Sequence, residues 1–291
     1  METSLLQAFV NVAEKGSFSA AAQSLELTQP AVSKRISALE EQVGTRLFDR
    51  VGKQIGLTEA GELLLPRARR IIQEVRDSQT LVRNLTGMVS GRLPLGISHH
   101  AGLHRLPPVL RKFSGRYPQV SLDIDFMESE AAVESVLGGD LELAVITLAE
   151  EDMPRIYSHA IWDDPLSFVV GNDHPLANRG EIALKALQEF PAILPDEQTF
   201  TRRIVDDLFR RKHCVLQTGM ETNYLETVKM MVSIGLGWSV LPDTMVDRKL
   251  QRLNVKQITI RRRLGYIYHR ERTLSNAAAA FVRLLEQYAD E

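Results

Sequence analysis

The stretch Leu27-Thr28-Gln29-Pro30-Ala31-Val32-Ser33-Lys34-Arg35-Ile36-Ser37-Ala38-Leu39-Glu40-Glu41-Gln42-Val43-Gly44 decides how the chain is read. Val32, Ile36, Leu39 and Val43 step by four, three and four, so on a helix they form one apolar stripe. Thr28 stands where a side-chain oxygen caps a helix. Pro30 falls in the first turn, where a missing N–H costs nothing, and Gly44 provides the stop. The face opposite the stripe carries Pro30, Ser33, Lys34 and Ser37. It is small, hydroxylated and singly cationic, which suits entry into a DNA major groove with hydrogen bonds to base edges. An ordinary solvated helix presents the same face.

Upstream, Ser17 can cap a short helix over 19–25 whose Ala20, Ala21, Ala22 and Leu25 pack closely. With 29–43 it makes a helix-turn-helix. Before it, Leu5, Leu6, Phe9, Val10 and Ala13 lie on one helical face ending at Lys15-Gly16. Downstream, Phe48–Leu57 reads as two short strands around Gly52, with Arg50 and Lys53 near the tip. That is either a wing whose cations reach phosphates or the minor groove, or a plain hairpin with solvated charges. Thr58 then caps a long helix in which Pro66 should kink the first turns. Its Leu64, Ala68, Ile71, Val75, Val82, Leu85 and Val89, with Ser78 filling one place, alternate steps of four and three. Such a heptad seam wants a partner helix and implies a dimer; packing on its own chain is the other reading.

The chain has 291 residues, 44% hydrophobic and 25% charged, which suits two or three soluble domains and excludes a disordered or fibrous protein. Cys214 is the one cysteine, so neither an internal disulfide nor a cysteine cluster is open to it. No apolar run reaches the roughly 18–20 residues of a membrane helix and no secretory signal is visible, so a cytoplasmic location is expected. Net charge is −2, which by itself argues against a nucleic-acid protein. Its distribution matters more: residues 1–91 hold 11 basic and 10 acidic side chains, and within 46–58 Arg46, Arg50 and Lys53 face only Asp49.

Six runs in order then carry a resemblance. They are Leu5-Leu6-Gln7-Ala8-Phe9 with Val12-Ala13; Gly16-Ser17-Phe18-Ser19-Ala20-Ala21-Ala22; Leu27–Ser33; Ile36-Ser37-Ala38-Leu39-Glu40; Gly44–Arg50; and Leu57-Thr58-Glu59-Ala60-Gly61. Residues 1–66 resemble the N-terminal domain of LysR-type transcriptional regulators, departing only at Val51-Gly52-Lys53, where members vary. The resemblance implies an all-α winged helix-turn-helix (1–58) joined by a long linker, or dimerisation, helix (59–90) to an α/β effector domain (91–291). That domain would be two-lobed, like a periplasmic binding protein, with lobe one at about 92–161 and 266–291 and lobe two at about 162–265. It implies homotetramers, each a dimer of dimers, on a double-stranded DNA operator upstream of the controlled genes. Carried over by position, Gln29, Pro30, Ser33, Lys34 and Ser37 face the major groove and Arg50 and Lys53 serve the wing; Ser17, opening the first helix of the pair, completes the candidate DNA contacts.

Beyond 91, strand and helix patterns alternate, as in an open α/β sheet. Ligands of such sheets bind at the carboxyl ends of strands. Ser98-His99-His100 follows one strand, Thr147 follows another, and Phe200-Thr201-Arg202 opens a helix, so these three segments should line a cleft, with Ser98, His99, His100, Thr147, Phe200 and Thr201 as the effector contacts. Helix N-termini favour anions, hence an expected small anionic effector. For His99 and His100 two readings stand: a ligand contact, pH-sensitive in character, or one helix cap and one solvated ring. Arg261-Arg262-Arg263 reads as a solvated loop. The glycines of Gly235–Pro242 read as aids to tight packing, not as a phosphate loop. Cys214, beside Lys212 and His213, is a redox sensor or an inert thiol. His99, His100 and His104 have no acidic or thiol partner nearby in sequence, so neither a metal site nor a cofactor is expected. No nucleophile elbow, zinc pattern or phosphate loop supports an enzyme, and the helix-turn-helix opposes a secreted solute-binding protein.

Overall fold

The computed structural model describes residues 2–51 and 54–289, and the chain parts into two compact units between Thr86 and Gly87. The first unit starts with α1 (Thr3–Lys15), α2 (Phe18–Ser24) and α3 (Gln29–Val43). Their ends are chemical. Gly16 and Gly44 take left-handed backbones at the C-caps, Ser17 Oγ accepts the Ala20 N–H, and Thr28 Oγ1 accepts the Ala31 N–H. Val32, Ile36 and Leu39 are buried with Leu6, Phe9 and Val12 in one core. Antiparallel β1 (Phe48–Val51) and β2 (Gln54–Leu57) follow, and Phe48 packs its ring on Phe9 at 5.4 Å.

Thr58 caps α4 (Glu59–Asn84), accepting the Gly61 N–H while donating to the Arg46 carbonyl at 2.8 Å. A side chain at position 61 would overlap the Leu47 carbonyl, so this first turn can lie against the hairpin only as glycine. The helix runs on through Pro66 and stops at Asn84, short of the expected 90. The expected seam divides accordingly. Ala68 is buried in the core of its own unit and Leu64 packs against it, whereas Ile71, Val75, Val82 and Leu85 are exposed. Val89, placed on this helix from its spacing, packs instead on the core of the second unit.

The second unit follows in chain order. It contains β3 (Gly91–Ser98), α5 (His99–His104), α6 (Pro107–Arg116), β4 (Val120–Met127), α7 (Ser129–Gly138), β5 (Leu143–Thr147) and β6 (Ile156–Gly171). Then come β7 (Glu181–Ile182), β8 (Ala192–Leu194), α8 (Phe200–Arg211), β9 (Thr218–Glu221), α9 (Leu225–Ser233), β10 (Ser239–Pro242), β11 (Leu250–Arg252), β12 (Asn254–Val255), β13 (Ile260–His269) and α10 (Asn276–Leu285). Seven strands form one sheet in the order β10-β6-β13-β5-β3-β4, with β11 also on β6; β7 pairs with β12 and β8 with β9.

The antiparallel pair β6–β13 is the spine, paired from Ile156 opposite His269 to Leu166 opposite Ile260. Trp162 and Leu264 lie in one apolar core with Leu95, Phe113 and Phe281. Leu166 and Ile260 lie in another with Phe168, Val205 and Trp238. Both strands thus cross from one core to the other within a few residues, and Asp164 faces Arg262 at that crossing. The ladder shifts register beside Gly265, where a side chain would strike the His159 carbonyl.

Candidate functional site

In the first unit, Gln29, Pro30, Lys34 and Ser37 are exposed on α3 and Ser33 is half-buried, on the side away from the buried stripe. Ser17 is half-buried and its oxygen is engaged by the Ala20 N–H at 3.3 Å, so its role in the fold is that of a cap. Glu40, which the sequence reading left unassigned, fixes α3 to the hairpin: its Oε1 accepts the N–H groups of Leu47 at 2.8 Å and Phe48 at 3.4 Å. Arg50 lies on β1, and Lys53 falls outside the described residues.

In the second unit the parallel strands β3 and β5 end side by side, delivering Ser98 and Thr147 to one place. The start of α8 arrives from the other core with Phe200 and Thr201. Together with His99 and His100 these residues line one cavity of about 250 Å³, whereas Arg202, expected there with them, is turned away onto Asp206, Glu221 and the Pro195 carbonyl. Ser98 holds the N-cap position of α5, yet its hydroxyl caps nothing and is buried without a partner.

Neither histidine is a cap, contrary to one of the two readings. His99 packs its ring on Tyr224 at 5.2 Å and Phe126 at 5.9 Å. His100 is 7% exposed, and neither ring nitrogen makes a hydrogen bond of good geometry. Its Nε2 stands 3.5 Å from Asp164 Oδ2, while His104 Nε2 stands 3.0 Å from Glu226 Oε1. The histidines therefore do have acidic neighbours, delivered by β6 and α9 from far along the chain. Among the described residues, no group of three or more histidine, cysteine or acidic side chains is arranged to hold a metal ion.

The larger correction concerns Arg262. It belongs to a strand, not to a solvated loop, and is 5% exposed. Its Nε donates to Asp164 Oδ2 at 2.8 Å and its Nη1 to Thr201 Oγ1 at 2.8 Å, while Nη2 has no partner. Burial alone would raise the Asp164 carboxyl; the polar contact with His100 and the Arg262 charge prevail and hold it at about 2. Burial also pushes the His100 imidazole below its ordinary value, favouring the neutral ring. The signal was present in the sequence: Ile260, Arg262, Leu264 and Tyr266 alternate on one face of a strand.

Two lobe-one carboxylates also line the cavity. Ser129 Oγ accepts the Thr147 N–H at 3.1 Å and seats the start of α7 against β5. This places Glu128 and Glu130 in the wall, and Glu130 Oε1 accepts the Phe200 N–H of α8, joining the two cores across the cavity. Cys214 is half-buried, with its Sγ 3.5 Å from the Lys212 carbonyl. Gly237 packs so closely on the Pro191 carbonyl that no side chain fits, in keeping with a packing role. No helix among the described residues is long and apolar enough to cross a membrane.

Residues 3–62 match the family described as bacterial regulatory helix-turn-helix protein, lysR family, and residues 86–290 match the LysR substrate binding domain. A RuBisCO operon transcriptional regulator of Allochromatium vinosum is 31% identical over 281 residues, covering 95% of this chain and 92% of that protein. An HTH-type transcriptional regulator of Azotobacter vinelandii, encoded in an ibpB-leuC intergenic region, is 60% identical over 108 residues, covering 37% of this chain and 75% of that protein. Among solved structures, a full-length variant of OxyR from Pseudomonas aeruginosa superposes with a TM-score of 0.72 at 22% identity, over 99% of this chain and 94% of that one.

Proposed function

The chain belongs to the LysR family of DNA-binding transcriptional regulators, and from that premise we propose that its cleft binds a small carboxylate-bearing effector that changes the oligomer's arrangement on its operator. The observation that carries the reading is the meeting of Ser98, Thr201 and Arg262 in one cavity, where Ser98 Oγ and Arg262 Nη2 are buried without partners. Buried donors left unpaired cost about 1–3 kcal/mol each, a cost that a bound anion removes. Because the cavity wall comes from both cores, occupancy favours one arrangement of the lobes over another. The shift is limited to the ligand's differential affinity for the two states.

The labour divides along the chain. Residues 1–58 read DNA through Gln29, Pro30, Ser33, Lys34 and Ser37, with Arg50 and Lys53 on the wing and Ser17 holding the first helix of the pair. Residues 59–84 pair two chains, and 91–291 sense the effector. Two such dimers form a homotetramer on double-stranded DNA in the cytoplasm. Footprinting of the full-length protein on the DNA upstream of its own gene tests this. We expect two protected half-sites whose spacing or bend changes when a cleft ligand is added. Protection identical with and without a ligand that demonstrably occupies the cleft would refute the coupling.

A further inference from the structure

The charges lining the cavity say more about its occupant than the helix N-terminus does. Among the lining residues the one guanidinium is Arg262, and Asp164 already balances it at 2.8 Å. Three carboxylates line the same cavity: Glu128, Glu130 and Glu226. Glu226 is paired with His104. Glu128 and Glu130, two positions apart at the start of α7, have no cationic partner among the described residues. Glu128 takes the N-cap position but makes no capping bond, and burial together with the Glu130 charge pushes its carboxyl above the ordinary range. A ligand carrying only negative charge would be repelled by this wall, whereas a cation beside it relieves both carboxylates.

Other groups lining the same cavity ask for the opposite. Ser98 Oγ and Arg262 Nη2 are buried donors without acceptors. Thr201 Oγ1 accepts from Arg262 Nη1, which leaves its own proton to donate into the cavity. In the first turn of α8 the N–H groups of Phe200 and Arg202 are taken by Glu130 Oε1 and Thr199 Oγ1, which leaves that of Thr201 to donate. These donors fit a carboxylate.

We propose that the cleft takes a small zwitterion of the α-amino-acid class, its carboxylate on Ser98, Thr201 and Arg262 and its ammonium against Glu128 and Glu130. This rests on the cleft being the effector site. The volume of about 250 Å³ lies below the roughly 300–1,000 Å³ of drug-sized sites and suits a ligand of this class. Leu103, Phe200 and Leu225 supply an apolar wall for its side chain. Glu130 already touches the Phe200 N–H across the cavity, so the ammonium would sit on the very contact that joins the lobes.

The test uses full-length protein, the twenty L-α-amino acids and, for each binder, its α-hydroxy acid and its decarboxylated amine, with affinities by calorimetry. We expect at least one amino acid to bind tenfold or more tightly than both of its analogues. In the E128Q/E130Q double variant the amino acid and the hydroxy acid should converge to within threefold. A hydroxy acid binding as tightly as its amino acid to the wild type overturns the zwitterion. If S98A weakens that acid, the effector cleft itself still stands. Binding by none of the three sets also overturns the zwitterion. A ligand whose affinity neither S98A nor T201A alters would remove the cleft reading as well.

Discussion

Replacing Asp164 by alanine removes the charge that balances a buried guanidinium at the crossing of the lobes. Asp164 is 0% exposed, 2.8 Å from Arg262 Nε, 3.5 Å from His100 Nε2 and 3.7 Å from Arg105 Nη2. Removing one partner of a buried pair costs about 3–5 kcal/mol, because the other charge stays buried uncompensated. For a unit of this size each kcal/mol moves the melting temperature by roughly 2–4 °C, so a fall on the order of 10 °C follows. The double variant D164A/R262M buries no charge and should recover most of that loss. The effect also has a pH signature. The Asp164 carboxyl is held at about 2, below its ordinary 3.8, so the stability it contributes is complete above about pH 4 and is lost as pH falls through 2. A depression of that size corresponds to about 2 kcal/mol. Differential scanning calorimetry from pH 7 to pH 3 should therefore show the wild-type advantage over D164A narrowing in acid. Equal melting temperatures for D164A and the double variant, or an advantage unchanged at pH 3, would refute a buried pair at this crossing.

Other perturbations separate the remaining parts. Lys34→Ala should weaken operator binding by about 1–3 kcal/mol with the thermal transition unmoved, read by gel shift and calorimetry; unchanged affinity for it and for Ser33→Ala would take α3 out of recognition. Ile71→Asp puts a charge on the exposed part of the α4 seam, and burial against a partner helix would cost several kcal/mol, so sedimentation should find monomers. A dimer persisting at low micromolar concentration would move the interface elsewhere. Ser98→Ala and Thr201→Ala should lower effector affinity roughly tenfold each while leaving effector-free operator binding intact; wild-type dose dependence in both would contradict their role.

The reach of the sequence differs between the two units for a physical reason. In the first, short-range rules act nearly alone. Ser17, Thr28 and Thr58 each accept a backbone N–H three residues on, Gly16 and Gly44 stop helices, and Val32, Ile36 and Leu39 stack on one face. These interactions span a turn or two of chain, so spacing is enough to read them. The end of α4 was not legible, because the seam periodicity continued through Val89 after the helix had stopped at Asn84.

In the second unit, Ser98, His99, His100, Thr147, Phe200 and Thr201 were legible as cleft residues because strand ends and helix starts are local features, but Arg202 of the same helix start points to Asp206 and Glu221 instead. The chemistry of the cleft was not. Arg262 and Asp164 are 98 positions apart, Thr201 lies 61 from Arg262, and Glu130 lies 70 from Phe200. Only the register of β6 on β13 and the seating of α7 and α8 bring these groups together, and no spacing along the chain encodes a strand register. The sequence by itself determined the helix caps, the apolar stripes and the positions where strands hand over to helices, since each depends on neighbours within reach of one turn. The tertiary structure alone decided that Arg262 is buried against Asp164 and Thr201, and that carboxylates and unpaired hydrogen-bond donors line one cavity. Burial and charge compensation are settled by whichever distant side chain packs opposite.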